Sequence, residues 1–150
     1  MKFDRIHEEA FAVERVHFKK TRNGANPRKI DPFLLLEGTV PILLSAPHAV
    51  RTLREGKIKP SDESTGSYAF LLHRETGCHA IATKKLYGGD PNWDWPCIYK
   101  ERVRDLLARA GVRLVLDLHG AARERPFDVD LGTMHGRSLC GGGGRSRTPF

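Results

Sequence analysis

Two histidines in this chain each stand directly after an apolar run. His48 follows Leu43-Leu44-Ser45-Ala46-Pro47, and His119 follows Leu114-Val115-Leu116-Asp117-Leu118. Each run reads as a buried strand that ends in an imidazole. In an open parallel sheet, ligands bind outside the carboxyl ends of the strands. Two imidazoles meeting at that edge would make part of a metal site. Either histidine alone is better explained by a hydrogen bond that caps its strand. The repeated context favours a shared ion.

A catalytic zinc site takes three protein ligands and keeps a position open, and two histidines with a glutamate are one known set. The stretch "KPSDESTG" after His48 offers Asp62 and Glu63 just before a helix. One carboxylate, or Thr65, can serve the helix start while the other meets the ion. Glu63 is the expected ligand. Asp117 lies two residues before His119, so strand alternation puts both on one face. There it could accept from an imidazole N–H and fix the tautomer, or it could serve a backbone contact. A third cluster, "DVDLGTMHGRS", gathers Asp128, Asp130, Thr133 and His135 around glycines that let the backbone approach a ligand. A polar hairpin explains it equally well. The run Gly141–Gly144 lacks a preceding strand and a following Lys-Ser or Lys-Thr, so it is not a phosphate loop.

The elements that must position these groups follow from periodicity. Residues 11–18, "FAVERVHF", alternate apolar and polar, which predicts a half-buried strand. Residues 19–32 read as a loop. "FLLLEGTVPILLSAP" gives two apolar runs about Glu37-Gly38-Thr39, a hairpin whose second strand begins at Pro41. Residues 49–65 read as a long loop. Tyr68, Leu71, Leu72 and Glu75 fall at helical spacing, and Gly77 suits the helix end. "CHAIATKKL" follows as a short strand. Pro96 fits the first turn of a helix with Val103, Leu106, Leu107 and Ala110 on one face and Gly111 at its end. "RLVLDL" is continuous enough to be a strand covered on both faces. Alternating strands and helices imply a parallel sheet with right-handed crossovers.

A chain of 150 residues can bury one core without disulfides. With 39% hydrophobic and 29% charged residues it reads as globular, not disordered. No stretch approaches the ~18 apolar residues of a membrane span. The start, "MKFDRIHEEAF", lacks the apolar core of a secretion signal. Cys78, Cys97 and Cys140 are few and odd in number, which points to a reducing compartment and a cytoplasmic location. The formal charge of +7 admits nucleic acid or a small anionic substrate. The basic residues are scattered, without a stripe interleaved with aromatics, so nucleic acid is disfavoured. A flexible tail is expected over 139–150, leaving one domain over 1–138.

Together "SAPHAVR", "SDESTG", "DPNWD", "DLHGA" and "DLGTMHGRS" resemble the N-formylglutamate amidohydrolase family, in order, from about residue 41 to 138. The resemblance implies a zinc-dependent hydrolase of N-acyl amino acids. It implies a three-layer α/β fold, a mostly parallel sheet with helices on both faces, similar to the phosphorylase/hydrolase-like (zinc carboxypeptidase-like) fold. By it, His48 matches the first histidine ligand, His119 the histidine of the Asp-x-His motif, and Glu63 the carboxylate ligand. The family's usual Asn-Arg is Asn92-Trp93 here, so a substrate carboxylate needs another cation, Arg51 or Arg123. Family chains also continue beyond the Gly-Thr-x-x-Gly segment, where this one turns into "CGGGGRSRTPF". The expected roles are proton transfer by His135, oxyanion or carboxylate binding by Arg51, and substrate contacts from Asn92, Arg123 and Thr133. The expected substrate is a small anionic N-acyl amino acid, and a homo-oligomer is allowed. Two other readings remain: a non-catalytic fragment that binds metal or a partner, and a basic nucleic-acid module.

Overall fold

The structure, a computed structural model, describes residues 2–19, 31–86, 89–122, 124–126, 129–133 and 135–137. They belong to two compact units, Met1–Gly120 and Ala121–Phe150. The expected tail, 139–150, lies outside the described residues.

The first unit contains helices α1 (Lys2–Val13), α2 (Thr65–Thr76) and α3 (Ile98–Arg109). Its strands are β1 (Phe33–Leu36), β2 (Val40–Ala46), β3 (Thr52–Arg54), β4 (Lys57–Lys59), β5 (Cys78–Thr83) and β6 (Leu114–Asp117). Four of them form a mixed sheet in the order β1-β5-β2-β6. β2 runs parallel to both β5 and β6, and β1 is antiparallel to β5. Alternation along the strands divides the interior in two. Leu44, Ala46, Ala80 and Ala82 pack with Ala69 of α2 and with Phe18. Leu43 and Ile81 pack with Tyr99, Val103 and Leu106 of α3. Helices thus cover both faces of a mostly parallel sheet, which is an α/β architecture.

Several local expectations are met for the physical reasons given. Helix α2 ends at Gly77, whose φ of 73° lets its N–H reach the His73 carbonyl at 2.8 Å. β5 follows at once. Helix α3 buries Val103 and Leu106, although it begins at Ile98 and Pro96 stands before it.

Others are corrected. Residues 11–18 are helical, not a strand: α1 continues as a π-helical stretch over Glu14–Lys19. The buried residues recur every fourth position, at Ala10, Glu14 and Phe18, while Phe11 and Val16 face outward. Alternation misread this because Glu14, counted as an outward residue, is buried against Ser67, whose hydroxyl donates to its Oε2 at 2.6 Å. The predicted hairpin does not form either. β1 and β2 are both strands, but β5 lies between them. The link crosses the start of β5: the N–H groups of Thr39 and Val40 both donate to the Gly77 carbonyl, at 2.8 and 3.1 Å. A Cβ on Gly38 would lie 2.0 Å from that oxygen, so Gly38 serves close approach, not a hairpin turn. Residues 49–65 are not simply a loop. β3 and β4 form a hairpin around Glu55-Gly56, both with positive φ, as a tight primed turn requires. Finally, β6 pairs with β2 at the sheet edge: Leu116 and Val115 pack against the two opposite cores but are only half-buried, and Leu114 is exposed, so the strand is covered on both faces only in part.

Candidate metal centre

The sheet brings the two histidines together. β6 is in parallel register with β2, with Ser45 opposite Asp117. The ladder runs one residue further, where the Leu118 N–H donates to the Ser45 carbonyl at 2.7 Å. His119 then stands beside His48, with ring centroids 5.2 Å apart and planes at 54°. Asp62 is delivered by its backbone: its N–H donates to the His48 carbonyl at 2.8 Å. Thr65 locks the turn before α2 by donating its hydroxyl to the Asp62 carbonyl at 2.7 Å. Gly120 passes closely, since a Cβ there would be 3.3 Å from the Asp62 Cβ.

Each imidazole has one nitrogen tied to a second carboxylate. His48, only 2% exposed, places Nε2 2.8 Å from Asp90 Oδ1. Asp90 is fully buried and also accepts from Arg54 Nε at 2.8 Å and from the Asn92 N–H at 2.9 Å. An ionised carboxylate only accepts, so the His48 proton is on Nε2 and its Nδ1 presents a lone pair. That Nδ1 lies 3.5 Å from Asp62 Oδ2 and 3.0 Å from the Lys59 ammonium. His119 repeats the plan with less burial. Its Nε2 is 3.0 Å from Asp117 Oδ2, and its Nδ1 is 3.1 Å from Asp62 Oδ2. The Asn92 amide stands 3.1 Å from the same Nε2.

These contacts set the charges. Hydrogen bonds to Asp117 and then Asp62 raise the His119 pKa to about 9. Burial alone would raise Asp62, but the His119 hydrogen bond, the neighbouring His48 ring, the Gly120 N–H and Lys59 hold it well below the usual carboxylate range. Burial also works against ionised Asp90, yet its bonds from His48, the Asn92 N–H and Arg54 hold it at about 2.

One ligand atom from each of His48, Asp62 and His119 lies within 4.8 Å of the others, so the group could hold a metal ion. The fit is close. Ligands at ~2.0–2.1 Å in a tetrahedral shell are themselves separated by about 3.3 Å. The Asp62 oxygen is 3.5 and 3.1 Å from the two Nδ1 atoms. Both histidines are also held by carboxylates on their far nitrogens, as ligating imidazoles usually are.

The carboxylate in this group is Asp62, where Glu63 was expected. Glu63 is exposed in the turn before α2 and outside the group. Backbone position decides between them, because the Asp62 amide is bonded to His48 and the next residue turns away. Arg51 is exposed between the His48 turn and β3. Thr133 and His135 belong to the second unit, where the Gly136 N–H donates to the Thr133 hydroxyl at 3.4 Å. Arg123 and Asp128 lie outside the described residues. Sequence reasoning missed Asp90, Arg54 and Lys59. The Asp-Pro-Asn turn did mark Asp90 as a turn former, and it bonds its own chain two residues on. Nothing local announced its partner His48, 42 residues away.

Among the described residues no helix is long and apolar enough to cross a membrane. No family model, curated protein or solved structure matches this chain.

Proposed function

We propose that His48, Asp62 and His119 hold a zinc ion and that the chain hydrolyses the amide of a small anionic N-formyl or N-acyl amino acid. The observation that carries this reading is the convergence of three donors, each imidazole oriented by its own carboxylate. The likeness of the motifs to the N-formylglutamate amidohydrolase family supports the choice of substrate. Zinc in such a site supplies Lewis acidity and activates water at neutral pH. In the net reaction the acyl carbon gains the oxygen of water, the C–N bond breaks, and the leaving nitrogen takes up a proton.

The chain's own groups divide the remaining work. Asp90 and Asp117 fix the tautomers that turn each Nδ1 toward Asp62. Arg54 is the cation we assign to the substrate carboxylate. Its Nε is held by Asp90, and its guanidinium lies 5.0 Å from the Trp93 ring centroid. A guanidinium so fixed can present its terminal nitrogens to a substrate carboxylate. It takes the role that Arg51 or Arg123 was expected to fill.

Metal analysis of the purified protein should find about one zinc per chain, and none in His48→Ala/His119→Ala. Equal zinc in both proteins would remove the proposal. Given zinc, a panel of N-acyl amino acids should show metal-dependent release of the free amine. A second reading, a protein that binds metal or a partner without turnover, is favoured by Lys59, whose ammonium already satisfies His48 Nδ1. Zinc bound without hydrolysis of any panel member would select it.

A further inference from the structure

The Lys59 ammonium lies 3.0 Å from His48 Nδ1 and 3.8 Å from Asp62 Oδ1. It is the last residue of β4, paired with Thr52 across the hairpin, and its side chain is 29% exposed. A neutral imidazole has one in-plane lone pair on its unprotonated nitrogen. With the far nitrogen committed to buried Asp90, the lone pair on Nδ1 is the one that a metal ion would need. Lys59 uses it. The ammonium and the ion are therefore exclusive occupants of the same atom, and both are drawn by the same carboxylate.

We propose that Lys59 is a resident cation of the metal-free centre, seated on His48 Nδ1, and that metal binding must expel it from His48. This inference rests on the metal centre proposed above and adds its control. The β3–β4 hairpin, anchored at its base beside His48, becomes the element that responds to occupancy. A metal-free centre is then not an uncompensated cluster of acids. It holds its geometry with an internal cation until an ion of higher charge displaces it. The affinity of the centre is set by that competition as well as by its three ligands.

The test uses zinc alone as the probe, on the full chain and on Lys59→Met, with Lys59→Ala as a second variant. A charge-assisted hydrogen bond removed from the metal-free state should tighten zinc binding about tenfold to hundredfold by calorimetry. In parallel, amine acetylation read by peptide mass spectrometry should show Lys59 of the unmodified chain becoming more reactive when zinc is added. Zinc binding by the Lys59 variants alone would also support the inference. Equal affinities, with Lys59 labelling unchanged by zinc, would overturn it and leave the metal centre standing. Weaker binding by both variants would overturn it too, making Lys59 a support and not a competitor. No zinc on any of the three proteins would overturn the centre and the inference together.

Discussion

Asp62 and Glu63 carry the same charge one position apart, yet only Asp62 is held between the two imidazoles. Loss of an orienting partner alone typically weakens a metal site 10–100-fold, so loss of a ligand should cost more. Asp62→Asn is expected to weaken zinc binding by more than about a hundredfold, while Glu63→Gln stays within about twofold of the parent. Calorimetric titration of both variants checks this, and equal losses would reverse the assignment. His119 gives a pH signature in the metal-free protein. Its pKa is raised from 6.5 to about 9 by Asp117 and Asp62. The folded state therefore binds more protons than the unfolded chain across that interval. Its contribution to stability is complete below pH 6.5 and is lost as pH rises through about 9. Melting temperatures in the presence of a chelator should fall across this window, and the fall should be shallower in His119→Ala. A rise in the parent would contradict the assigned contacts.

Elements show where periodicity succeeds and where it fails. The apolar face of α3 and the short runs of β5 and β6 were legible, because burial within one element repeats at the element's own period. Helix α2 was legible as a helix, but of Tyr68, Leu71, Leu72 and Glu75 only Leu71 is buried, and the face that meets the core carries the small residues Thr65, Ser67 and Ala69 instead. The order of the strands was not legible. β1 and β2 are neighbours in the chain, but their pairing depends on β5, which begins at Cys78, 45 residues after β1 begins at Phe33. Gly38 is the local price of that insertion. Gly38→Ala should destabilise the protein by about 3 kcal/mol or more, since the added methyl meets backbone oxygen and not a side chain that can turn aside. Urea denaturation would measure it, and a change below about 0.5 kcal/mol would mean the crossing is loose. The β3–β4 hairpin was hidden for another reason. It is short, and Leu53 and Ile58 are set among charged residues, so it lacks the apolar alternation that marks a strand. It nevertheless carries Arg54 and Lys59 to the centre.

The first unit as a whole is held by two cores on opposite faces of one sheet. Leu106 is fully buried between α3 and the sheet, and Leu106→Ala should cost about 2–5 kcal/mol. A loss under about 1 kcal/mol, seen by the same denaturation, would show that this face is not a packed core. Among the described residues some of the basic side chains are locally balanced: Arg54 meets Asp90, Arg74 meets Glu9 and Glu75, and Arg109 meets Glu37. By itself the sequence determined the class of architecture and the two places where imidazoles end apolar runs. Those properties are written in local composition and period, which each segment carries alone. Tertiary structure decided that Asp62 and not Glu63 faces the imidazoles, that Asp90 orients His48, and that Lys59 occupies its lone pair. Each of these depends on atoms from distant segments meeting within about 3 Å, a distance set by strand order and register and not by any one segment's residues.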